Sequence, residues 1–582
     1  MPVSQPFAPG PLPGLVDVLV FGSGAAGLTA ALVAALRGAE VLVCEKTPQF
    51  GGTTATSGGT IWAPGAPPIR RAGGMATVEQ ARRYLAHELG EHYDASRVDA
   101  FLATAAEAVE YLERHSDVRF EHTRNPDYHV ESPGGSATGH AMTAMPFDGR
   151  LLGESFALLR PPRDVFMVAG GMMVGRREIP LLLAPWRSLQ AARHTVRRLW
   201  RHARSRLRHP RGTDLMIGNA LVARLLASLS RSPGVRMASG ARLLELTETG
   251  GRVDGAVVEH DGARIRIQAR RGVVLATGGF PHSAPLRDRL AAAFPHQRSM
   301  ACEGATGDGI AAGLQVGARI DSSIDNPAFW SPASVRRHRG GTETLWVHGH
   351  LDRGKPGLLA VDQHGRRFVN EADSYHDFVV AMFRGRDGMP ATRVHLIADD
   401  DFVRRYGLGL ARPGWSRRQP LIADGYLIRE PSIERLAIRL EVDRDTLART
   451  IATYDRDADT GVDSEFGRGS RELNRFNGDA ANRPNPCMRR LQPPYCAVRV
   501  EPCSIGTTIG LATDADGRVL RAGENRPIDG LFACGNDMAS VMGGWYPGPG
   551  VTLGPAIVFA YRAARALTAA GTDPTSTLEQ TC

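Results

Sequence analysis

One glycine-rich turn near the start of the chain constrains its fold more than any other feature. The apolar run Val16–Phe21 leads into GSGAAG, a helix is predicted over Ala25–Arg37, and a second apolar strand, Glu40–Glu45, ends on an acid. The glycines of the turn are Gly22, Gly24 and Gly27. They would let a pyrophosphate approach the helix N-terminus, while Glu45 can accept hydrogen bonds from ribose hydroxyls. This order of elements predicts a parallel sheet with a dinucleotide site.

A second cluster of glycines and hydroxyls favours FAD over NAD. The segment Phe50–Gly59 reads FGGTTATSGG and follows the second strand directly. NAD sites do not need such a segment, whereas its hydroxyls and backbone amides can wrap the phosphates and ribityl chain of a flavin. The alternative is a surface loop rich in glycine and threonine. Because the cluster contains no histidine, the FAD is predicted to be bound non-covalently.

Later strand ends that run into glycine complete the predicted cofactor site. They are Leu275–Gly279 and Phe532–Asn536, with TGDG at Thr306–Gly309 between them. The predicted cofactor-binding residues are Gly22, Gly24, Ala26, Gly27, Glu45, Lys46, Gly51, Gly52, Thr53, Thr54, Ser57, Gly58, Gly59, Thr277, Gly278, Asp308, Gly535, Asn536, Thr552 and Leu553.

Length and composition exclude several classes of protein. A chain of 582 residues predicts at least two cores, and 42% hydrophobic with 23% charged residues is ordinary globular usage, which excludes collagen-like, coiled-coil and wholly disordered chains. Seven cysteines without C-x-x-C spacing predict neither a disulfide framework nor a metal site. The sequence has no signal-peptide pattern and no apolar run long enough to span a membrane, so a cytoplasmic protein is expected.

Four motifs resemble one group of flavoproteins. They are GSGAAG with FGGTTATSGG, PDYHVESPGG at Pro126–Gly135, RRFVNEADSY at Arg366–Tyr375, and GNDMASVMGGWYPGPGVTLGPA at Gly535–Ala556. Together they are similar to flavoproteins related to the flavin subunit of fumarate reductase and succinate dehydrogenase, and within them to the 3-ketosteroid Δ1-dehydrogenases. The resemblance covers nearly the whole chain except Glu154–Thr213.

The resemblance implies an α/β fold, α+β overall, with two domains. A Rossmann-type FAD-binding domain would comprise residues 15–320 and 495–582, and an inserted α+β catalytic domain residues 321–494. The composition changes over the same stretch, with more Pro, Trp and Arg and fewer apolar runs.

The implied reaction removes hydrogen from C1 and C2 of a 3-ketosteroid in bacterial steroid degradation. A C2 hydrogen can be removed only if donors meet the developing enolate oxygen, and the Tyr546 hydroxyl and Gly550 N–H are the candidates. The resemblance makes Tyr375 the base and sends a hydride from C1 to flavin N5. Because a free tyrosine has a pKa near 10, the base needs a helper. Tyr128 is the candidate, with His129 as the alternative.

Other functions stay open at this point. A Δ4-(5α)-3-ketosteroid dehydrogenase or another enone dehydrogenase or reductase would use the same flavin, although YPGPG favours Δ1 chemistry. A fumarate or succinate enzyme is disfavoured because its His and Arg carboxylate clamp is not identifiable. A non-catalytic flavin- or lipid-binding protein at a membrane surface is a further alternative.

A basic segment suggests where the protein works. Residues 187–211 contain nine arginines and no acid, which accounts for the net charge of +9. Apolar residues at helical spacing form a stripe within it: Leu189, Ala192, Val196, Leu199, Trp200, Ala203 and Leu207. This pattern predicts peripheral binding to an anionic membrane at its inner face, with a quinone as a suitable electron acceptor. The alternative is an arginine face on a helix packed against the protein body. Nucleic-acid binding is not predicted, because no nucleic-acid motif accompanies the arginines.

Overall fold

Two large sheets organise the chain in the computed structural model, which describes residues 11–175, 178, 181–182, 185–294, 298–349, 352–414 and 418–569. The helices are α1 (Ala25–Leu36), α2 (Gly52–Ala55), α3 (Pro67–Arg71), α4 (Val78–Leu89), α5 (Ala95–His115), α6 (Leu189–Arg206), α7 (Ile217–Leu229), α8 (Ala284–Leu290), α9 (Asp308–Gln315), α10 (Tyr375–Arg384), α11 (Asp400–Arg405), α12 (Gln419–Ala423), α13 (Ile433–Leu440), α14 (Arg444–Thr460), α15 (Glu472–Asn477) and α16 (Leu553–Thr568).

The strands are β1 (Leu15–Phe21), β2 (Val41–Glu45), β3 (Thr60–Trp62), β4 (Phe120–His122), β5 (Ala141–Ala144), β6 (Phe147–Asp148), β7 (Met167–Val168), β8 (Met172–Met173), β9 (Asp214–Leu215), β10 (Val235–Ser239), β11 (Arg242–Thr249), β12 (Arg252–His260), β13 (Ala263–Leu275), β14 (Arg298–Ser299), β15 (Ile320–Asp321), β16 (Ala328–Arg337), β17 (Glu343–Val347), β18 (Leu358–Val361), β19 (Val394–Asp399), β20 (Ile428–Glu430), β21 (Tyr495–Thr507), β22 (Gly510–Leu511), β23 (Arg518–Leu520) and β24 (Pro527–Ala533).

The first sheet is the predicted parallel sheet with an antiparallel extension. Its order is β10–β2–β1–β13–β12–β11, and β24 pairs with β13. Strands β10, β2, β1, β13 and β24 pair in parallel, and every residue of β2 is buried. Helices α1 and α16 pack against each other, and all of α1 except Leu36 is buried. Near-continuous apolar strands are therefore covered on both faces, as parallel sheets require.

One strand connects the two halves of this sheet. The sequence suggested short strands up to Ile267 and a separate one from Arg271, but the structure has a single strand, β13. Its first residues pair antiparallel with β12 and its last pair in parallel with β1 and β24. The separate-strand expectation was wrong because the residues before Gly272 alternate between buried side chains (Ile267, Ala269) and exposed ones (Gln268, Arg270), as in one continuous strand.

The second sheet has the order β17–β16–β21–β19–β18, with β14 and β20 also pairing with β21. Alternate residues of its central strands face two different cores: Leu396 lies in one cluster and Ile397 in another. By its pairing β21 belongs to this sheet, which extends past the predicted boundary at residue 494. The short pair β15–β22 joins the residues that enter and leave the inserted part.

The start of one helix differs from its prediction. The spacing of apolar residues over Arg97–Arg114 predicts a helix with Ser96 as a possible N-cap, but α5 starts at Ala95, and Asp94 caps it by accepting hydrogen bonds from Ser96 N and Arg97 N. The helices predicted near 433–453 are α13 and α14, which Glu441 separates by adopting a left-handed conformation (φ 54°).

Candidate active site

One cavity is lined by most of the site residues that the sequence predicted. It has a volume of about 420 Å³ and is lined by all of the predicted site residues except Gly27 and Gly51. Strand ends of the first sheet form one side, and the loops around Tyr128, Tyr375 and Tyr546 form the other.

The first glycine turn has the geometry that a dinucleotide needs. Gly22 has a φ of +100°, and a side chain there would lie 2.1 Å from Ala276 O. A side chain at Gly27 would lie 1.9 Å from Gly22 O, so this glycine allows the helix to pack on the strand and does not line the cavity. At Gly24 the nearest atom would be Thr54 Oγ1 at 3.5 Å, which leaves room for a pyrophosphate.

The hydroxyl cluster after Glu45 is partly used by the protein itself. Thr54 Oγ1 accepts a hydrogen bond from Ala25 N at the start of α1 (3.0 Å), and the Ser57 hydroxyl donates to Thr54 O (2.9 Å). Thr53 Oγ1 accepts from Cys302 N (2.8 Å). These bonds fix the shape of the loop beside the cavity, so its backbone as much as its hydroxyls would hold a cofactor.

The acidic end of β2 is fixed by neighbouring donors. Glu45 accepts hydrogen bonds from the Ser23 hydroxyl (2.6 Å) and from Thr47 N (2.9 Å). Lys46 lies 3.0 Å from Asp308, at the start of α9. A carboxylate held in this way keeps lone pairs for ribose hydroxyls.

A buried carboxylate that the sequence did not reveal organises the far side of the cofactor groove. Asp537 is fully buried and accepts hydrogen bonds from the Thr277 hydroxyl (2.8 Å) and from Gly279 N (2.9 Å). It therefore ties the end of β13 to the segment that carries Gly535 and Asn536. Nearby, Thr552 and Leu553 stand at the N-terminus of α16, where helix dipoles favour electron-rich groups. The groove, its glycines and its polar donors fit FAD.

Three tyrosines meet at the other side of the cavity. The Tyr128 hydroxyl donates to the Tyr375 hydroxyl (3.0 Å), and the Tyr128 ring stacks on that of Tyr546 at 5.7 Å with an angle of 15°. The rings of Tyr375 and Tyr546 meet edge to face at 5.2 Å. Burial raises the pKa of all three tyrosines above the ordinary value, so a tyrosine that acts as a base here must first lose its hydroxyl proton. Hydrogen bonds from Tyr375, Thr552 and the Gly550 backbone oppose this rise at Tyr546.

The loop that carries Tyr546 and Gly550 is held from three directions. Pro547 O accepts hydrogen bonds from Tyr128 N (2.8 Å) and from the Tyr84 hydroxyl (2.6 Å), and Gly550 O accepts from Trp62 N (3.0 Å). Gly550 has a φ of +95°, and a side chain there would lie 2.6 Å from the Ile61 carbonyl carbon. The loop is thus rigid in advance of ligand binding. Tyr84 on α4 was missed from the sequence, since nothing in its helical pattern distinguishes it from a core tyrosine.

His129 faces away from the tyrosines. Its ring lies between two carboxylates: Nε2 is 2.8 Å from Asp377 Oδ2, and Nδ1 contacts Glu88. Burial raises the pKa of Asp377, but His129 outweighs this effect and brings it to about 2. Of the two neighbouring candidates, Tyr128 is therefore the one whose side chain contacts Tyr375, and His129 links α4 to α10, the helix that begins with Tyr375.

The basic helix α6 rests on the protein by its polar face. Its buried residues are Ala191, Arg198 and His202, and Arg198 pairs with Asp214 and Glu178. The predicted apolar stripe therefore faces away from the protein: Leu189 is 92% exposed, Val196 66%, Trp200 61% and Leu207 84%. None of the described helices is long and apolar enough to cross a membrane.

Comparisons with known proteins agree with this geometry. The family described as an FAD binding domain matches residues 17–553. The chain is 38% identical to 4-oxocyclohex-2-ene-1-carboxylate 5-dehydrogenase of Sinomonas cyclohexanicum, covering 94% of this chain and 93% of that protein. It is 34% identical to 3-oxosteroid 1-dehydrogenase of Mycobacterium tuberculosis, over 94% and 97%.

A solved structure is similar over the same extent. It is 3-ketosteroid Δ1-dehydrogenase from Sterolibacterium denitrificans in complex with 1,4-androstadiene-3,17-dione, with a TM-score of 0.88, 33% identity, and coverage of 96% of this chain and 100% of that one. These matches confirm the predicted flavoprotein fold and FAD as the cofactor.

Proposed function

This chain belongs to the FAD-binding flavoprotein family that includes the 3-oxosteroid 1-dehydrogenases, and we propose that it desaturates 3-oxosteroids between C1 and C2. The observation that carries this proposal is the contact of Tyr128, Tyr375 and Tyr546 beside Gly550 in one buried pocket. A tyrosine base beside hydrogen-bond donors for the ketone oxygen is the arrangement that removal of a proton next to a ketone requires.

Each residue of that pocket has a proposed role. The Tyr546 hydroxyl and Gly550 N–H donate to the ketone oxygen and stabilise the negative charge that develops there. Tyr375 takes the C2 proton. Burial and the neighbouring Tyr128 and Tyr546 raise the pKa of Tyr375, so its phenolate, once its hydroxyl proton has left, needs a donor. We assign that role to the Tyr128 hydroxyl on its geometry, because it donates to the Tyr375 hydroxyl at 3.0 Å. Bound FAD supplies the acceptor for the C1 hydride. Tyr128 and Tyr546 are buried, which limits the access of water to these steps.

A second candidate substrate class follows from the comparisons. The relative at 38% identity is named for a one-ring ketone that carries a carboxylate. Dehydrogenation next to a cyclic ketone needs the same base and the same oxyanion donors, so the tyrosines fit both classes. The two substrate classes differ in size and charge, so the cavity would select between them by these properties.

An anaerobic reduction experiment separates these possibilities. Purified FAD-loaded protein is mixed with androst-4-ene-3,17-dione or with 4-oxocyclohex-2-ene-1-carboxylate, the flavin absorbance is followed, and the product is identified by mass and NMR. We expect rapid bleaching by the steroid and a new C1=C2 bond. Tyr375→Phe should slow bleaching by about 10²–10⁴-fold, because it removes the general base.

The control variant is Tyr93→Phe, which removes a hydroxyl bonded to Asp99 outside the cavity, and it should bleach at the wild-type rate. Bleaching by the one-ring acid alone would replace the steroid proposal with the second class. Bleaching by neither compound, or an unchanged rate in Tyr375→Phe, would reject the proposed reaction or the proposed base.

We further propose that the protein acts at the surface of an anionic membrane, on its inner face. The support is helix α6, which exposes Trp200, Leu207 and other apolar residues beside exposed arginines such as Arg197 and Arg204. Such a helix can lie in the headgroup region of a bilayer. Steroids partition into lipid, and a quinone dissolved there would be a suitable electron acceptor.

A further inference from the structure

An arginine that the reaction does not use lines the catalytic cavity. Arg163 belongs to the segment that interrupts the family resemblance, and it shares the cavity with Tyr375 and Tyr546. Its Nη2 donates to Met300 O at 2.5 Å, with Ala301 O at 3.4 Å. In the part of the chain that the structure describes, no carboxylate forms a salt bridge with it. Its guanidinium is therefore held by a neutral carbonyl beside the cavity.

Buried arginines in the molecule fall into two groups. Arg367 and Arg468 each pair with Glu371, and Arg198 pairs with Asp214. Arg353 and Arg211, like Arg163, donate to neutral oxygens, but of these three only Arg163 lines the catalytic cavity. Burial lowers the pKa of Arg163, but an arginine remains charged near neutral pH. Glu303 contributes a favourable charge interaction without forming an ion pair, so an anion that enters the cavity would still gain from contacting this partly buried cation.

Arg163 and Tyr546 contact the second sheet on opposite sides of β21. Phe329 on β16 packs edge to face on Tyr546 at 5.0 Å, while Met300, whose carbonyl holds Arg163, follows β14, and its N–H bonds to Ser504 O on β21. Strand β21 separates β16 from β14, so the backbones of these two strands are about 10 Å apart at the usual strand spacing. Val347 and Ile505 also line the cavity and make part of its wall apolar.

We propose that Arg163 binds a carboxylate carried by the substrate at the end opposite its ketone. This inference rests on the proposed function, because it assumes that a cyclic ketone is bound by Tyr546 and Gly550. Two sources share the chemistry: a one-ring oxo acid, and a polycyclic ketone whose far ring carries an acidic side chain. Because Arg163 and Tyr546 contact the sheet on opposite sides of β21, the longer polycyclic acid is the favoured source.

The test measures ligand binding rather than turnover. A 3-oxo-1,4-diene steroid with a carboxylate on its ring-D side chain, already desaturated and so unable to reduce the flavin, is titrated into FAD-loaded protein while the flavin absorbance is followed. Its methyl ester is titrated in parallel, as are a one-ring oxo acid and its methyl ester. We expect the wild type to bind the acid at least about tenfold more tightly than the ester, as a charge-assisted bond provides.

Variants assign the preference to one residue. Arg163→Gln should bind acid and ester within about twofold of each other, and Arg163→Lys should keep part of the preference because it keeps the charge. Arg337→Gln, which replaces a solvent-exposed arginine of β16 (62% exposed), is the matched control and should behave as wild type. Flavin content and circular dichroism show whether each variant is folded.

Each outcome has a distinct meaning. Equal binding of acid and ester by the wild type, for the steroid pair and the one-ring pair alike, would overturn the role of Arg163 while leaving the dehydrogenase proposal intact. Loss of FAD from Arg163→Gln with the acid preference retained would assign the arginine to the cofactor and overturn the inference. A preference seen only with the one-ring acid and its ester would support the inference and identify that source. Binding of no ketone at all would reject both proposals.

Discussion

At the scale of single residues, the site depends on which neighbour each polar group contacts. Tyr128 and His129 are adjacent in sequence, and the sequence offered both as helpers of the base. The structure separates them because Glu88 on α4 and Asp377 on α10 hold His129 away from the tyrosines. Those two carboxylates come from distant parts of the chain, so the sequence could not show the contact. Tyr375 and Tyr546 were predictable because their motifs are specific to the family.

The contacts of His129 with Glu88 and Asp377 predict a particular dependence of the free energy of unfolding on pH. Burial lowers the pKa of His129, but Asp377 and Glu88 outweigh it and raise the pKa well above its ordinary value. A raised histidine pKa stabilises the folded state fully below the unfolded pKa of about 6.5, and this contribution is lost as the pH rises through the folded-state pKa. We expect His129→Gln to lower the free energy of unfolding by about 2 kcal/mol at pH 6, since hydrogen bonds to a charged group are removed.

The measurement is urea unfolding of FAD-loaded wild type and variant at several pH values between 6 and 10. The difference between them should shrink as the pH rises. His338→Gln, which removes a ring bonded to the Thr344 hydroxyl, is the control and should show no such trend. A difference that grows with pH would contradict the assigned charge of His129.

At the scale of elements, helix α6 shows what periodicity can and cannot predict. The spacing of its apolar residues predicted an amphipathic helix, and the structure has one over Leu189–Arg206. Which face rests on the protein was not predictable, because that depends on Asp214 and Glu178, which pair with Arg198. Ordinary surface helices bury their apolar stripe, so the exposed stripe of α6 is the unusual feature.

The exposed stripe predicts salt-sensitive binding to anionic vesicles. The FAD-loaded protein should sediment with vesicles that contain phosphatidylglycerol, and this fraction should fall at high salt because arginine attraction is screened. Replacing Trp200 and Leu207 by serine should weaken binding by at least about tenfold, since their apolar surface no longer enters the bilayer.

The control for this experiment is Ile438→Ser. Ile438 on α13 is 75% exposed and lies outside the basic segment, so its loss should leave vesicle binding unchanged. If wild type and the double variant sediment equally, or if the wild type ignores anionic vesicles altogether, the membrane proposal is wrong.

At the scale of the whole molecule, the sequence predicted the first sheet better than the second. The glycine turn and Glu45 define a known βαβ geometry, and the buried strands β1 and β2 appear within a residue of their predicted positions. The spacing of apolar residues over 78–89 predicts a helix, and α4 has the same bounds. The second sheet depends on β21, whose partners lie between 160 and 210 residues away for β14 and β16, and such pairing leaves no local pattern.

The motif RRFVNEADSY illustrates the same limit. The resemblance drew attention to its last residue, Tyr375, but other members build a buried charge network in the inserted part. Arg367 forms paired hydrogen bonds to Glu371 and to Asp463, all between 2.8 and 2.9 Å, and Arg468 adds a bond to Glu371 at 3.0 Å. The side chains of Arg367, Glu371 and Asp463 are completely buried. The network joins β18, the loop before α10 and the loop after α14.

This network predicts that one substitution destabilises the second sheet and leaves the first sheet unchanged. Arg367→Met would leave Glu371 and Asp463 short of a buried counter-charge, which should cost about 3–5 kcal/mol in the free energy of unfolding. The exposed pair Arg490–Asp459 is the control, and Arg490→Met should cost less than about 1 kcal/mol. Hydrogen exchange followed by mass spectrometry should show lost protection in β18 and β19, with β1 and β2 unchanged and FAD retained. Equal loss of protection in both sheets would mean that the molecule unfolds as a single unit, with the stability of the cofactor site depending on charges in the inserted part.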